Sequence, residues 1–249
     1  MRYSFALVPL ANAIGALAAA DSWVFGNTGF YLGPPSGSAE IVKATYSITP
    51  PAVPSGYTVS DSNDEVWVSV WVGASASAGS DDYNLYQPLF NWSPDQESQG
   101  CSASVDEWCV AASTFTPDGQ LGQEYITVPK DTAVDFEIAV ANNKVTQTVN
   151  MNGKEISKET DALDSPLKYI MSTDECYTGS GSCGTVNTWS NDIAPLDVKN
   201  LTITLNKADT KFGETFTAGG LTSSDNGITW TADSVDVQKV NYADSADIS

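Results

Sequence analysis

The stretch Val66-Trp67-Val68-Ser69-Val70-Trp71-Val72-Gly73 decides the fold class. Its valines stand at every second position, so they share one face of a predicted β-strand and form a core surface. The other face carries Trp67 and Trp71, and tryptophan is rarely placed on a solvated strand face without a partner. We therefore predict that this second face either lines a groove for sugar rings or an extended peptide, or is covered by loops.

The same two-residue alternation recurs along most of the chain, and no segment reads as a capped amphipathic helix. In Val134–Val140 the apolar residues share one face, with Asp135 and Glu137 on a solvated acidic face opposite. Further strands are predicted at Ile41–Thr49, Leu85–Trp92, Trp108–Thr114, Val145–Met151, Leu167–Ser172, Leu201–Leu205, Ile228–Thr231 and Val235–Val240. Residues 174–195 are predicted to be irregular, and Asn152-Gly153 is predicted to form a tight hairpin turn. Many short strands favour an all-β sandwich of two antiparallel sheets.

The first twenty residues have the pattern of a secretory signal peptide: an early arginine, an apolar run and a small-residue site at Ala18-Ala19-Ala20. We predict removal of residues 1–20, a single domain over residues 21–249, and a secreted, extracellular, monomeric protein with no membrane span.

The amino-acid composition excludes several kinds of ligand and catalytic mechanism. The chain has no histidine, and Arg2 is its only arginine; without residues 1–20, ten lysines face 31 Asp and Glu, a formal charge of −21. Nucleic acid is excluded as a partner because its binding depends on basic contacts to phosphate. Triads that need an imidazole base are excluded as well. We predict no metal and no cofactor.

Four cysteines and two sequons indicate covalent modifications of a secreted protein. Three pairings are possible, and the two local ones, Cys101–Cys109 and Cys176–Cys183, close short loops. Asn91 and Asn200 open the glycosylation sequons Asn91-Trp92-Ser93 and Asn200-Leu201-Thr202.

Several segments together resemble the eqolisins, the fungal glutamic peptidases. Trp71-Val72-Gly73 is similar to one family strand, and Leu85–Trp92 places Gln87 where the family has its catalytic glutamine. Two further segments also resemble the family, the early strand Ala44–Pro50 and the charged turn and strand Ile126–Val134.

The resemblance implies a concanavalin A-like β-sandwich with a concave substrate groove. It also implies a glutamic acid that acts as general acid and base on a water held by the glutamine. The chain departs from the family where Lys168, followed by Tyr169, stands at the position of the glutamate. Glu175 or Asp174 is the available substitute carboxyl.

Three functions follow as hypotheses. The leading one is a groove that binds an extended polypeptide or polysaccharide without standard peptidase catalysis, lined by Trp67, Trp71, Gln87, Lys168 and Tyr169. The second is an active acid endopeptidase that uses Gln87 with Glu175 or Asp174. The third is a lectin-like or glycan-active protein of the same architecture.

Overall fold

A computed structural model describes residues 23–60, 66–78, 82–177, 181–186, 198–209, 211–212, 221–235 and 240–241. The predicted signal peptide, residues 1–20, lies outside these residues. Every regular element in the described ranges is a β-strand. Within the same ranges, no helix has the length and apolarity needed to traverse a bilayer.

The described residues form seventeen strands, numbered in chain order. The first eight are β1 Trp23–Leu32, β2 Ile41–Ile48, β3 Trp67–Ser75, β4 Leu85–Tyr86, β5 Leu89–Trp92, β6 Trp108–Ala111, β7 Ser113–Thr116 and β8 Gly119–Gly122. The remaining nine are β9 Ile126–Val128, β10 Val134–Ala141, β11 Lys144–Met151, β12 Lys154–Ala162, β13 Tyr169–Tyr177, β14 Thr185–Val186, β15 Val198–Leu205, β16 Thr229–Val235 and β17 Val240–Asn241.

Two antiparallel sheets pack face to face, which confirms the predicted all-β sandwich. The smaller sheet has six strands in the order β12-β11-β10-β2-β15-β16. The larger, curled sheet has nine strands in the order β8-β7-β4-β3-β5-β6-β9, with β13 paired to the other edge of β3 and β1 paired to β13. Strands β14 and β17 form a separate two-stranded sheet.

The smaller sheet follows directly from its alternation pattern. In β10 the residues Val134, Phe136 and Ile138 lie in the core, while Asp135 and Glu137 face outward as predicted. The β11–β12 hairpin turns at Asn152-Gly153, where both residues have positive φ, so the predicted tight turn is confirmed.

The larger sheet is organised around β3, which is buried along its whole length. One edge of β3 pairs with β13 from Trp67 to Ser75. Its other edge pairs with β5 near its start and β4 near its end, and Gln87-Pro88 lies between those two partners. Proline has no backbone N–H to donate, so the ladder is interrupted there. The predicted single strand Leu85–Trp92 is therefore two strands.

Two tyrosine hydroxyls bridge the sheets through the core. The hydroxyl of Tyr46, on β2, donates to the carbonyl of Val72 at 2.7 Å, beside the interrupted part of the β3 ladder. The hydroxyl of Tyr86, on β4, donates to the carbonyl of Ala162 at 2.7 Å. Burial raises the pKa of Tyr46 well above its usual value, so this hydroxyl stays protonated and remains a donor at acidic and neutral pH.

Other predicted boundaries also need correction. The predicted strand Trp108–Thr114 is divided at Ala112, and the predicted strand Leu167–Ser172 instead runs from Tyr169 to Tyr177. That shift places Asp174–Tyr177 in a strand rather than in the irregular stretch. Strands β1, β8, β9, β12 and β14 were not predicted, and β14 falls within the stretch predicted to be irregular. The alternation of β12 could not be recognised because its inward face carries the polar residues Ser157, Glu159 and Asp161.

Of the three possible cysteine pairings, the structure has the two local ones. Cys101 pairs with Cys109, and Cys176 pairs with Cys183. The first closes the loop between β5 and β6, and the second joins the end of β13 to the segment that follows it.

Replacing Tyr46 by phenylalanine tests the bridge between the sheets. We expect Tyr46→Phe to lower the free energy of unfolding by about 1–2 kcal/mol, because the buried Val72 carbonyl loses a donor. Urea unfolding measures this loss. The control is Tyr83→Phe, at an exposed tyrosine, and its free energy of unfolding should equal that of the parent. Equal stability of both variants would contradict the bridging role.

Candidate binding site on the outer face of the curled sheet

The register of β13, β3 and β5 sets out the side chains on the outer face of the curled sheet, which is the face turned away from the smaller sheet. Directly opposed residues of antiparallel strands share a face. One row contains Glu175, Ser69 and Asn91, and the next contains Thr173, Trp71 and Leu89. The following row pairs Met171 with Gly73.

Gln87 completes the third row because Gly73 leaves room for it. A Cβ atom at Gly73 would lie 3.1 Å from Gln87 Cβ and 2.9 Å from Leu85 Cδ1. The backbone N–H of Gln87 donates to the Ser113 carbonyl at 2.8 Å, and its Nε2 donates to Gln120 Oε1 at 3.3 Å. Gln87 is only 1% exposed, and its Oε1 has no hydrogen-bond partner among the described residues.

Apolar side chains surround these polar groups and form a second core, separate from the one between the sheets. Its floor consists of Trp71, Leu85, Leu89, Phe115 and Met171. Three half-buried tyrosines, Tyr31, Tyr125 and Tyr169, pack against this floor. We call these three residues the tyrosine rim.

Glu175 is the carboxyl group on this face of β13, and it is 5% exposed. The pKa of Glu175 is raised to about 8: burial raises it most, the indole of Trp71 lowers it, and the neighbouring Asp174 makes a smaller contribution that raises it. Trp71 Nε1 makes no hydrogen bond within the described chain, so the indole acts on the Glu175 carboxyl from a longer distance. Glu175 is a neutral carboxylic acid below about pH 8.

Tyr125 lies over the Glu175 end of the floor. Burial around its hydroxyl and, second, the Glu175 carboxyl raise the pKa of Tyr125 above its usual value. Tyr125 as a whole is half-exposed, so the buried part of the side chain is its hydroxyl end. The phenol thus stays neutral next to a neutral acid.

The predicted catalytic residues are not brought together. Gln87 lies beside Gly73 and Glu175 beside Ser69, four residues apart along β3. At roughly 3.3 Å per residue this is about 13 Å, with Trp71 between them. Asp174 pairs with Val70, so it lies on the core face rather than with Gln87.

Two other predicted binding residues make contacts of their own. The ammonium of Lys168 donates to the Ala39 carbonyl at 2.6 Å, and its place beside the Gln87 amide stays a prediction. Trp67 pairs with Tyr177, beyond the Glu175 row. Tyr169 belongs to the tyrosine rim and pairs with Ser75 next to the Gln87 row.

The two predicted glycosylation sites have different surroundings. Asn91 is 1% exposed, and its Oδ1 accepts a hydrogen bond from Ser69 Oγ at 2.8 Å. A glycan cannot be accommodated there in the folded chain, so this prediction is corrected. Asn200 is exposed at an irregularity of β15 and remains a predicted acceptor.

Several residues of this region were not predicted. Ser113, Gln120 and Tyr125 come from β7, β8 and the segment that follows β8, whose sequences show no clear alternation. On the inner face of β12, burial raises the pKa of Glu159 to about 7, with a smaller contribution from Asp161. Among the described residues, no group of three His, Cys, Asp or Glu is arranged to hold a metal ion.

Comparison with known proteins yields structural similarity only. No protein-family model matches the chain, and no curated protein matches it. A crystal structure of scytalido-glutamic peptidase with a transition-state analogue inhibitor aligns with 86% of this chain and 100% of its own, at 12% identity and a TM-score of 0.40.

Two sugar-related proteins align more weakly. Galectin LEC-6 of Caenorhabditis elegans aligns over 62% of this chain and 91% of its own, at 11% identity and a TM-score of 0.30. The kappa-carrageenase of Pseudoalteromonas carrageenovora, in complex with an oligotetrasaccharide of kappa-carrageenan, aligns over 63% and 53%, at 9% identity and a TM-score of 0.25. The strands and sheets described above, rather than these alignments, define the class: an all-β sandwich with one curled sheet.

The buried acid predicts how stability depends on pH. The pKa of Glu175 is higher in the folded chain than the 4.5 of a free side chain, so the folded state holds a proton that the unfolded state releases. Stability therefore falls as pH rises from about 4.5 to about 8 and then levels off. We expect Glu175→Gln to be more stable than the parent at pH 8, by a few kcal/mol at most, and nearly equal near pH 4.

Urea unfolding at a series of pH values measures this difference. The exposed Glu97→Gln is the matched control, and its curve should run parallel to the parent. A Glu175→Gln curve that is also parallel to the parent would show that folding does not raise the pKa of Glu175.

The close contact at Gly73 predicts a second effect. In Gly73→Ala the added methyl group must displace Gln87 Cβ or the Leu85 side chain, and we expect a loss of about 1–3 kcal/mol in the free energy of unfolding. Gly122→Ala is the control, since its methyl group would meet Ser113 Oγ at an ordinary 3.4 Å. Thermal unfolding of the two variants compares them, and a stable Gly73→Ala would mean that Gln87 is not packed on Gly73.

Proposed function

We propose that this protein is a secreted, eqolisin-like β-sandwich that binds an extended polymer on the outer face of its curled sheet, without standard glutamic-peptidase catalysis. The observation that carries the proposal is the pair of unpartnered polar atoms at the centre of that face, Gln87 Oε1 and Trp71 Nε1. A buried donor or acceptor without a partner costs free energy of about 1–3 kcal/mol. A ligand that supplies both partners regains that cost on binding.

The surroundings of this pair favour an uncharged, extended ligand. The apolar floor and the tyrosine rim offer aromatic surface for sugar rings or peptide side chains. The formal charge of −20 repels polyanions. Successive rows along β3 are roughly 6.6 Å apart, a spacing that suits a chain lying along the strand.

The positions of the carboxyl groups argue against standard peptidase chemistry. A general base and an oxyanion-stabilising amide must act on one water and one carbonyl, within hydrogen-bond reach of both. Gln87 and Glu175 are separated by Trp71, and Asp174 lies on the opposite face. The acid endopeptidase hypothesis therefore needs a rearrangement that would bring Glu175 across the indole.

Extracellular location and a single domain over residues 21–249 belong to the same proposal. Two disulfides join residues close in sequence, and such bonds persist in oxidising compartments. Asn200 is the glycosylation acceptor in this proposal.

Binding assays at about pH 3–6, which brackets ordinary carboxyl pKa values, test the proposal. The ligands are a denatured, unlabelled polypeptide and a panel of neutral glucans, mannans and xylans, with peptide release measured in parallel. We expect binding to at least one polymer, weakened about five- to tenfold in Gln87→Leu through loss of one hydrogen bond. Tyr83→Ala, at an exposed tyrosine outside the site, should bind normally.

Two results would overturn it. One is absence of binding to every polymer. The other is peptide release that disappears in both Gln87→Leu and Glu175→Gln, which would establish the peptidase.

A further inference from the structure

The amide of Gln87 has two possible orientations, and a chain of hydrogen bonds selects between them. We propose that Gln120 is a positioning residue that fixes Gln87 with its oxygen toward the binding face, so that the site selects the hydroxyl groups of a neutral polysaccharide. This inference rests on the proposed function and names the class of ligand for the same face.

The chain of hydrogen bonds ends at a backbone carbonyl, whose role as an acceptor is fixed. The carbonyl of Leu121 can only accept, and Ser113 Oγ donates its proton to it at 2.9 Å. Ser113 Oγ then accepts from Gln120, so the atom that contacts it is Nε2. Gln120 Oε1 is left as the acceptor for Gln87 Nε2 at 3.3 Å.

We call Leu121 O, Ser113 Oγ and the Gln120 amide the relay. The direction of its hydrogen bonds determines which atom of the Gln87 amide is left for a ligand. The Nε2 end of Gln87 is held toward β8, and Oε1 is left as a buried acceptor. Its neighbour on the next row, Trp71 Nε1, is a donor without a partner in the described chain. The site thus offers one acceptor and one donor on an apolar floor.

Adjacent hydroxyls of a sugar ring match this arrangement. A hydroxyl both donates and accepts, so one can donate to Gln87 Oε1 while its neighbour accepts from Trp71 Nε1. The apolar faces of sugar rings also fit the tyrosine rim. An extended polypeptide is matched less well, because its N–H and C=O groups point sideways in the strand plane toward an edge, whereas this site lies on a sheet face.

Variants at Gln120 separate the relay from the ligand class. Gln120→Leu removes both of its hydrogen bonds, whereas Gln120→Glu keeps the acceptor for Gln87 Nε2. Gln123→Ala, at an exposed glutamine beyond β8, is the control. The readouts are solvent exchange of the Gln87 side-chain amide protons by NMR, binding of the neutral polysaccharide panel, and binding of denatured polypeptide.

We expect Gln120→Leu to speed exchange of the Gln87 amide protons and to weaken polysaccharide binding about fivefold or more, as loss of a positioned hydrogen bond predicts. Gln120→Glu should restore most of both, and Gln123→Ala should change neither. An O-methylated sample of the polysaccharide that binds should bind at least about fivefold more weakly, since it cannot donate to Gln87.

The contrary outcomes are distinct. Unchanged amide exchange in Gln120→Leu would overturn the relay, whatever polymer binds. Binding of polypeptide alone, or equal binding of the O-methylated sample, would overturn the assignment to polysaccharide and leave the proposed function intact. Failure of every polymer to bind would overturn both the assignment to polysaccharide and the proposed function.

Discussion

Burial of β3 on both faces is the constraint on which the rest of the structure depends. A sandwich strand ordinarily has one face in the core and one in solvent. Here the valine face packs against the smaller sheet, and the tryptophan face packs under a second apolar cluster. The chain must therefore supply a second layer of side chains, which come from β4, β5, β7 and β13 together with the tyrosine rim.

The interruption of the ladder at Gln87-Pro88 follows from that double burial. Because β3 has covered faces and paired edges, a break in one partner strand leaves polar backbone groups that water cannot reach. A side chain takes over part of this role: the hydroxyl of Tyr46 donates to the Val72 carbonyl. The same break brings Gln87 over Gly73 and orients its amide toward the outer face.

An acidic chain with buried neutral carboxyl groups is suited to acidic surroundings. Glu175 and Glu159 both have raised pKa values, so each favours the folded state most when the medium keeps it protonated. Asp209 acts in the opposite direction, because hydrogen bonds from Ser36 and Lys211 outweigh the effect of burial and lower its pKa. Its contribution is lost only as pH falls below the ordinary aspartate range. Together these groups favour a stability maximum in mildly acidic solution.

The amino-acid sequence by itself determined the fold class, the core face of β3 and β10, and the Asn152-Gly153 turn. Each of these is set by residues close together in the chain, where alternation or turn chemistry acts directly. The tertiary structure alone decided that Asn91 is buried, that Lys168 contacts Ala39, and that Trp71 separates Gln87 from Glu175. These facts depend on the register between strands distant in sequence, where a shift of one residue moves every side chain to the other face.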